Sequence, residues 1–224
     1  MKNVNTIILL LLVGTMSVFA DEEKFLSFYL SYFDTEYNVF IETDLDKKAN
    51  IIFEIDNMEY GEYAMLKLSP QSIEPFIYSL NVAKAKYHEW SEIVNNTGKV
   101  LYMKKLPSTC QFESQHIYFT CNQRMFEENG LNFFAYFYVD VDGKPYLILR
   151  SGRANDSKIV YESFSFGFWQ QSLSLSTETI SVKGYTKGVQ LVFASINEID
   201  AFISVLWQAK THRDNVKPIK KLLK

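Results

Sequence analysis

Two segments of the chain, 126 residues apart, are similar enough to predict the same amphipathic helix. Aligned without a gap, residues 69–84 and 195–210 are identical at seven of sixteen positions. The apolar matches recur at i, i+3, i+4 and i+7, which places them on one helical stripe that must be buried. The predicted core positions are Ile73, Phe76, Ile77 and Leu80 in the first segment and Ile199, Phe202, Ile203 and Leu206 in the second.

The residues that precede each helix predict strands. Residues 50–69 and 177–195 both read as two short strands joined by a turn. A helix with one apolar stripe needs a partner surface, and the preceding sheet is the nearest one. We therefore predict an α+β fold with an internal duplication, in which antiparallel sheets are each followed by a packed amphipathic helix. The two units would span residues 21–98 and 99–212. The alternative is that two unrelated helices converged on the same apolar spacing.

The segment LNFFAYFYVDV, residues 131–141, predicts an unusually aromatic strand. Side chains alternate across a strand, so Phe134, Tyr136 and Tyr138 share the face opposite Phe133 and Phe137. Aromatic rows on both faces indicate either that both faces are covered or that one face is a contact surface. The dipeptide Asp142-Gly143 that follows predicts a turn into the next strand.

The N-terminus has the pattern of a secretory signal peptide. Residues 1–20 hold Lys2, an apolar run from Ile7 to Val13, and the small residues Val18 and Ala20 before a predicted cleavage site. The apolar run is too short for the alternative, an anchoring membrane helix, which needs about 20 residues. The mature protein is therefore expected in the periplasm or the medium, with no transmembrane segment after cleavage. At the other end, residues 213–224 form a lysine-rich tail.

Two cysteines, Cys110 and Cys121, flank the segment QFESQHIYFT. A hairpin that turned near Gln115–His116 would place them opposite each other. Exported proteins meet an oxidising compartment, so we predict a disulfide between them, which would stabilise the fold by about 3 kcal/mol. The alternative is two buried free thiols.

The sequence lacks the common catalytic and cofactor-binding motifs. There is no H-E-x-x-H, G-x-S-x-G or phosphate-binding glycine loop, and the three histidines are His88, His116 and His212. We expect no catalytic residues, metal or cofactor. A net charge of −3 also argues against nucleic acid as a partner.

The segment KYHEWSEI, which follows the repeated I-E-x-F-I-x-x-L helix, resembles uncharacterised exported proteins of gut Bacteroidetes and their mobile elements. The resemblance implies export and a β-rich fold with helices, without any activity. Together these features predict an exported, non-catalytic interaction protein that binds another protein or a surface polymer. The alternatives are a carrier of an apolar small molecule or lipid, held between sheet and helix, and a hydrolase with a convergent site.

Overall fold

The computed structural model describes residues 22–42, 50–59, 62–97, 101–163 and 177–215. Within these ranges the chain forms mainly antiparallel strands, together with two α-helices. The elements are β1 (Glu22–Leu30), β2 (Thr35–Glu42), β3 (Asn50–Asn57), β4 (Tyr63–Leu68), α1 (Ile73–Thr97), β5 (Tyr102–Lys105), a 3-10 helix (Ser108–Cys110), β6 (Gln111–Cys121), β7 (Arg124–Val139), β8 (Pro145–Ser151), β9 (Ala154–Ser163), β10 (Thr177–Thr186), β11 (Val189–Phe193) and α2 (Ile196–Asn215).

Six of these strands close into a barrel. Going around it, β3 pairs with β11, then come β8, β7, β6 and β4, and β4 pairs back to β3. The seam between β3 and β11 is short, with Asn57 opposite Val189 and Asp56 opposite Gln190. The other strands extend this ring, because β1 and β2 continue outward from β3 and β5 pairs with the end of β7. Strands β9 and β10 form a separate two-stranded ribbon.

The predicted duplication of a sheet-plus-helix unit is wrong. The barrel takes β3 and β4 from residues 21–98 and its other four strands from residues 99–212, so the strands do not form two separate sheets. Before α1, β3 and β4 pair with each other as a hairpin. Before α2, β10 pairs with β9, while β11 pairs with β8 and β3. The two strand pairs look alike locally, but a period-two pattern defines the faces of a strand and not its partner.

The helical stripes themselves are buried as predicted. All eight stripe residues are inaccessible or nearly so, and they join the inward faces of the barrel strands in one hydrophobic core. Phe76 and Phe202 lie where the two helices meet, with ring centroids 6.4 Å apart. Each large side chain buried in this way contributes about 1.5–3 kcal/mol to stability.

Charged residues at equivalent positions of the two helices form ion pairs between the helices. Lys84 of α1 lies 2.6 Å from Asp200 of α2, and Lys210 of α2 lies 3.1 Å from Glu74 of α1. In the sequence alignment Lys84 corresponds to Lys210 and Glu74 to Asp200, so the two ion pairs are reciprocal. The helices therefore run antiparallel and contact each other through equivalent residues, although the strands before them are arranged differently.

The predicted hairpin within residues 110–121 is also wrong. Strand β6 runs without a turn from Gln111 to Cys121, so Cys110 and Cys121 lie at opposite ends of a strand roughly 30 Å long. Cys121 is a free thiol, and an intrachain disulfide between the two does not fit this geometry. The chain turns instead at Asn122–Gln123, where both residues have positive φ (51° and 62°), as a two-residue hairpin turn requires.

Candidate functional site

The outward face of β7 carries the aromatic row that the sequence predicts. Phe134, Tyr136 and Tyr138 are partly exposed on this face, while the residues between them are buried in the core. The neighbouring strand β8 follows the predicted turn at Gly143, which has φ 80°. It places Tyr146 opposite Tyr138 and Ile148 opposite Tyr136. The alternation of side chains along β7 is therefore confirmed, and its outer side forms part of a larger apolar surface.

A chain of ring contacts extends this surface to the turn between β1 and β2. The ring centroids of Tyr138 and Tyr146 lie 5.9 Å apart, those of Tyr146 and Tyr32 lie 5.0 Å apart, and those of Tyr32 and Phe33 lie 4.7 Å apart. Tyr32 is 44% exposed and Phe33 is 39% exposed. We call this surface the aromatic face; its residues are Tyr32, Phe33, Phe134, Tyr136, Tyr138 and Tyr146.

Charged groups at the edge of the aromatic face hold its rings in place. Asp140 Oδ2 accepts a hydrogen bond from the Tyr146 hydroxyl at 3.0 Å, and its Oδ1 accepts from the backbone N–H groups of Asp142 and Lys144. Burial and the bond to Asp140 raise the pKa of Tyr146 to about 12, so this hydroxyl remains a donor. The ammonium groups of Lys105 and Lys144 lie over the rings of Phe134 and Tyr146, at 3.3 and 5.3 Å from the centroids. Such cation–π contacts are attractive.

Apart from the aromatic face, the structure has an acidic cavity of about 320 Å³. It lies at the fork where β2 and β11 pair with different parts of the same edge of β3. Tyr37 donates a hydrogen bond to Asp56 Oδ1 at 2.7 Å, and Tyr63 donates to Glu54 Oε1 at 3.0 Å. Asp56 Oδ2 is inaccessible and has no hydrogen-bond partner. Burial raises the pKa of Asp56 to about 6, because an ion is poorly solvated there.

Replacing Asp56 with asparagine is expected to stabilise the protein at pH 8 and to have little effect at pH 4. The native pKa is about 6 and the ordinary value is 3.8, so the folded state binds the proton more tightly than the unfolded chain does. The free energy of unfolding therefore falls as the pH rises from about 4 to about 6, and it stays lower above that range. Asparagine keeps the acceptor for Tyr37 but does not ionise.

Urea unfolding at pH 4 and pH 8 measures this difference. Asp142→Asn is the matched control, since Asp142 is exposed in the turn after β7. An equal change in unfolding free energy at both pH values would contradict the assignment to Asp56 ionisation.

The histidines do not form a nucleophilic site in the described residues. His88 lies 3.6 Å from Glu92 on the exposed side of α1. His116 lies 3.5 Å from Glu127 on the outside of the barrel, and burial lowers its pKa. Within the described ranges, neither histidine receives a hydrogen bond from a serine, threonine or cysteine side chain, as nucleophile activation requires. His212 packs against the ring of Phe25.

The described ranges contain no group of three or more His, Cys, Asp or Glu side chains placed to hold a metal ion. No helix among the described residues is both long and apolar enough to cross a membrane.

A further cavity of about 460 Å³ lies between α1 and the start of α2, with Tyr87, His88, Ser91, Glu92 and Ser195 among its lining residues.

Sequence reasoning identified three of the six residues of the aromatic face. Phe134, Tyr136 and Tyr138 follow from the alternation along one strand, which is local. Tyr32 and Phe33 reach the face only because the β1–β2 turn approaches β8, and no local pattern predicts that contact.

Comparison of the chain with protein-family models, curated proteins and solved structures found no match, so its function has to be inferred from the geometry of these surfaces.

Proposed function

We propose that this chain is an exported, non-catalytic interaction protein that binds another protein through the aromatic face. The observation that carries the proposal is a set of partly exposed rings, Tyr32 and Phe33 on one side and Tyr138, Tyr136 and Phe134 on the other, which the buried ring of Tyr146 joins. Scattered exposed apolar side chains are ordinary, but a contiguous patch of them is typical of a contact surface.

The aromatic face has the properties of a protein-binding surface. Tyrosine and other large aromatic residues are enriched at interface hot spots, and they bury a large area with few rotatable bonds. The ring of Tyr146 is already held by its hydrogen bond to Asp140, and the ring of Tyr138 contacts that of Tyr146. Little side-chain entropy is then lost on binding, which favours affinity.

Export is part of the proposal. It comes from the signal-peptide pattern of residues 1–20, with cleavage after Ala20, and it places the mature protein in the periplasm or the medium. These residues lie outside the described ranges, as do residues 216–224 of the basic tail. Residues 213–215 belong to α2.

The alternative functions have less support from the geometry. A carrier of lipid needs an apolar chamber, but the barrel interior holds the rings of Phe53, Phe119, Phe126, Phe133 and Phe137, all fully buried. The two cavities described above are lined in large part by polar or charged side chains. A surface polymer could use the same rings as a protein, and the experiment below separates the two because it identifies the bound molecules.

The test compares capture of exported proteins by the wild type and by the double variant Tyr136→Ser/Tyr138→Ser. The matched control, Tyr78→Ser/Ile93→Ser, removes two exposed apolar side chains from α1. We expect a defined partner to be recovered by the wild type and the control, with at least a tenfold loss on the face variant and no change in thermal unfolding. Equal recovery by the face variant, or recovery of polysaccharide instead of protein, would overturn the proposal.

A further inference from the structure

Strand β5 has one unpaired edge in the described part of the chain. On one side its four residues pair with β7, from Tyr102 opposite Val139 to Lys105 opposite Tyr136. On the other side no described strand pairs with it, and all four side chains are exposed. A free strand edge presents backbone N–H and C=O groups that an added extended chain can satisfy.

We propose that an extended, acidic segment of the partner protein adds to this edge as a further strand. The inference rests on the proposed function, since the edge borders the aromatic face. Met103 and Lys105 are paired with Tyr138 and Tyr136, so their side chains lie on the same side of the sheet as those rings. Every second side chain of a strand added beyond β5 would therefore lie on the same side of the sheet as the aromatic face.

The charges on β5 select the kind of segment that fits. Lys104 Nζ lies 4.9 Å from the ring centroid of Trp90, and Lys105 Nζ lies 3.3 Å from that of Phe134. Neither ammonium group has a carboxylate partner among the described residues. Opposite charges on adjacent strands stabilise their pairing, so two consecutive acidic residues in the added strand complement the two lysines, one on each side of the sheet.

The same charges oppose a second copy of this chain at the edge. In the registers that set lysine opposite lysine, edge-to-edge pairing of two β5 strands is destabilised, because like charges across strands repel. The other end of the sheet, β1, is a poorer edge for an added strand. Its register with β2 is broken between Lys24 and Leu26, and such a bulge interrupts the ladder that an added strand would continue.

The test uses two ten-residue peptides of alternating threonine and valine, one with two central glutamates and one with two central lysines. Binding to the full chain is followed by amide NMR shifts and by hydrogen exchange. We expect the glutamate peptide to bind about tenfold more tightly, with weaker binding at high salt. Its binding should shift and protect the amides of Tyr102–Lys105.

The charge-reversal variant Lys104→Glu/Lys105→Glu should invert this preference and bind the lysine peptide more tightly. The control Lys24→Glu/Lys183→Glu changes the net charge equally at exposed positions on β1 and β10, and it should keep the wild-type preference. Equal affinity for both peptides, no binding of either, shifts confined to other strands, or dimerisation through β5 would each overturn the proposal. If the aromatic-face variant loses its partner while the peptides do not bind β5, the proposed function stands and strand addition is rejected.

Discussion

Replacing Phe202 with alanine is expected to lower the free energy of unfolding by about 3–5 kcal/mol. The side chain is fully buried and contacts four other rings: those of Phe28, Phe53, Phe193 and Phe76 lie 4.5, 5.2, 5.7 and 6.4 Å from it. These partners come from β1, β3, β11 and α1, so one truncation leaves a cavity where the helices meet the sheet. Because the partners are held by separate elements, the surroundings can collapse only in part.

Urea unfolding followed by circular dichroism measures this loss. Trp207→Ala is the control on the same helix, since Trp207 is 42% exposed, and we expect it to change stability by less than about 1 kcal/mol. A loss of under about 1 kcal/mol for Phe202→Ala would show that the ring is not a central element of the core.

Replacing Gly184 with alanine is expected to destabilise the protein by about 2–3 kcal/mol. Gly184 lies on β10, and the ring of Phe126 from β7 packs directly against its backbone. An added Cβ would lie 2.2 Å from Cγ of Phe126 and within 2.5 Å of both Cδ atoms. Phe126 is 1% exposed, so its ring has little room to move, and the ribbon of β9 and β10 would have to shift away from the barrel.

Two further variants separate this overlap from the general effect of removing a glycine. Gly152→Ala should leave stability nearly unchanged, since nothing lies within 4 Å of its added Cβ. Combining Gly184→Ala with Phe126→Leu should cost less than the sum of the two single changes, because the smaller side chain makes room for the new methyl group. Strictly additive losses would contradict the packing of Phe126 on Gly184.

The features that could be predicted from the sequence depend on local periodicity. The stripes around Phe76 and Phe202 follow from helical spacing, and the outward row of β7 follows from strand alternation. Both patterns are set by the backbone geometry of one element, so they hold whatever the element packs against. The turn at Gly143 is equally local.

The features that could not be predicted depend on which elements meet. The similar sequences of the two helices predict two similar sheets, but what the equivalent residues share in the structure is a reciprocal pair of contacts, Lys84 with Asp200 and Lys210 with Glu74. The cysteine spacing suggested a hairpin, yet Gln115 and His116 are not residues that favour a tight turn, whereas Asn122 is.

The short seam between β3 and β11 determines when this chain can finish folding. Asn57 lies in the first third of the sequence and Val189 in the last fifth, so the ring cannot close until β11 has emerged from the ribosome. Contacts this distant in sequence form slowly, because a long loop must first be ordered. Until then the chain lacks the complete core that the closed barrel surrounds, so the pairing of β11 with β3 is the step that completes the ring.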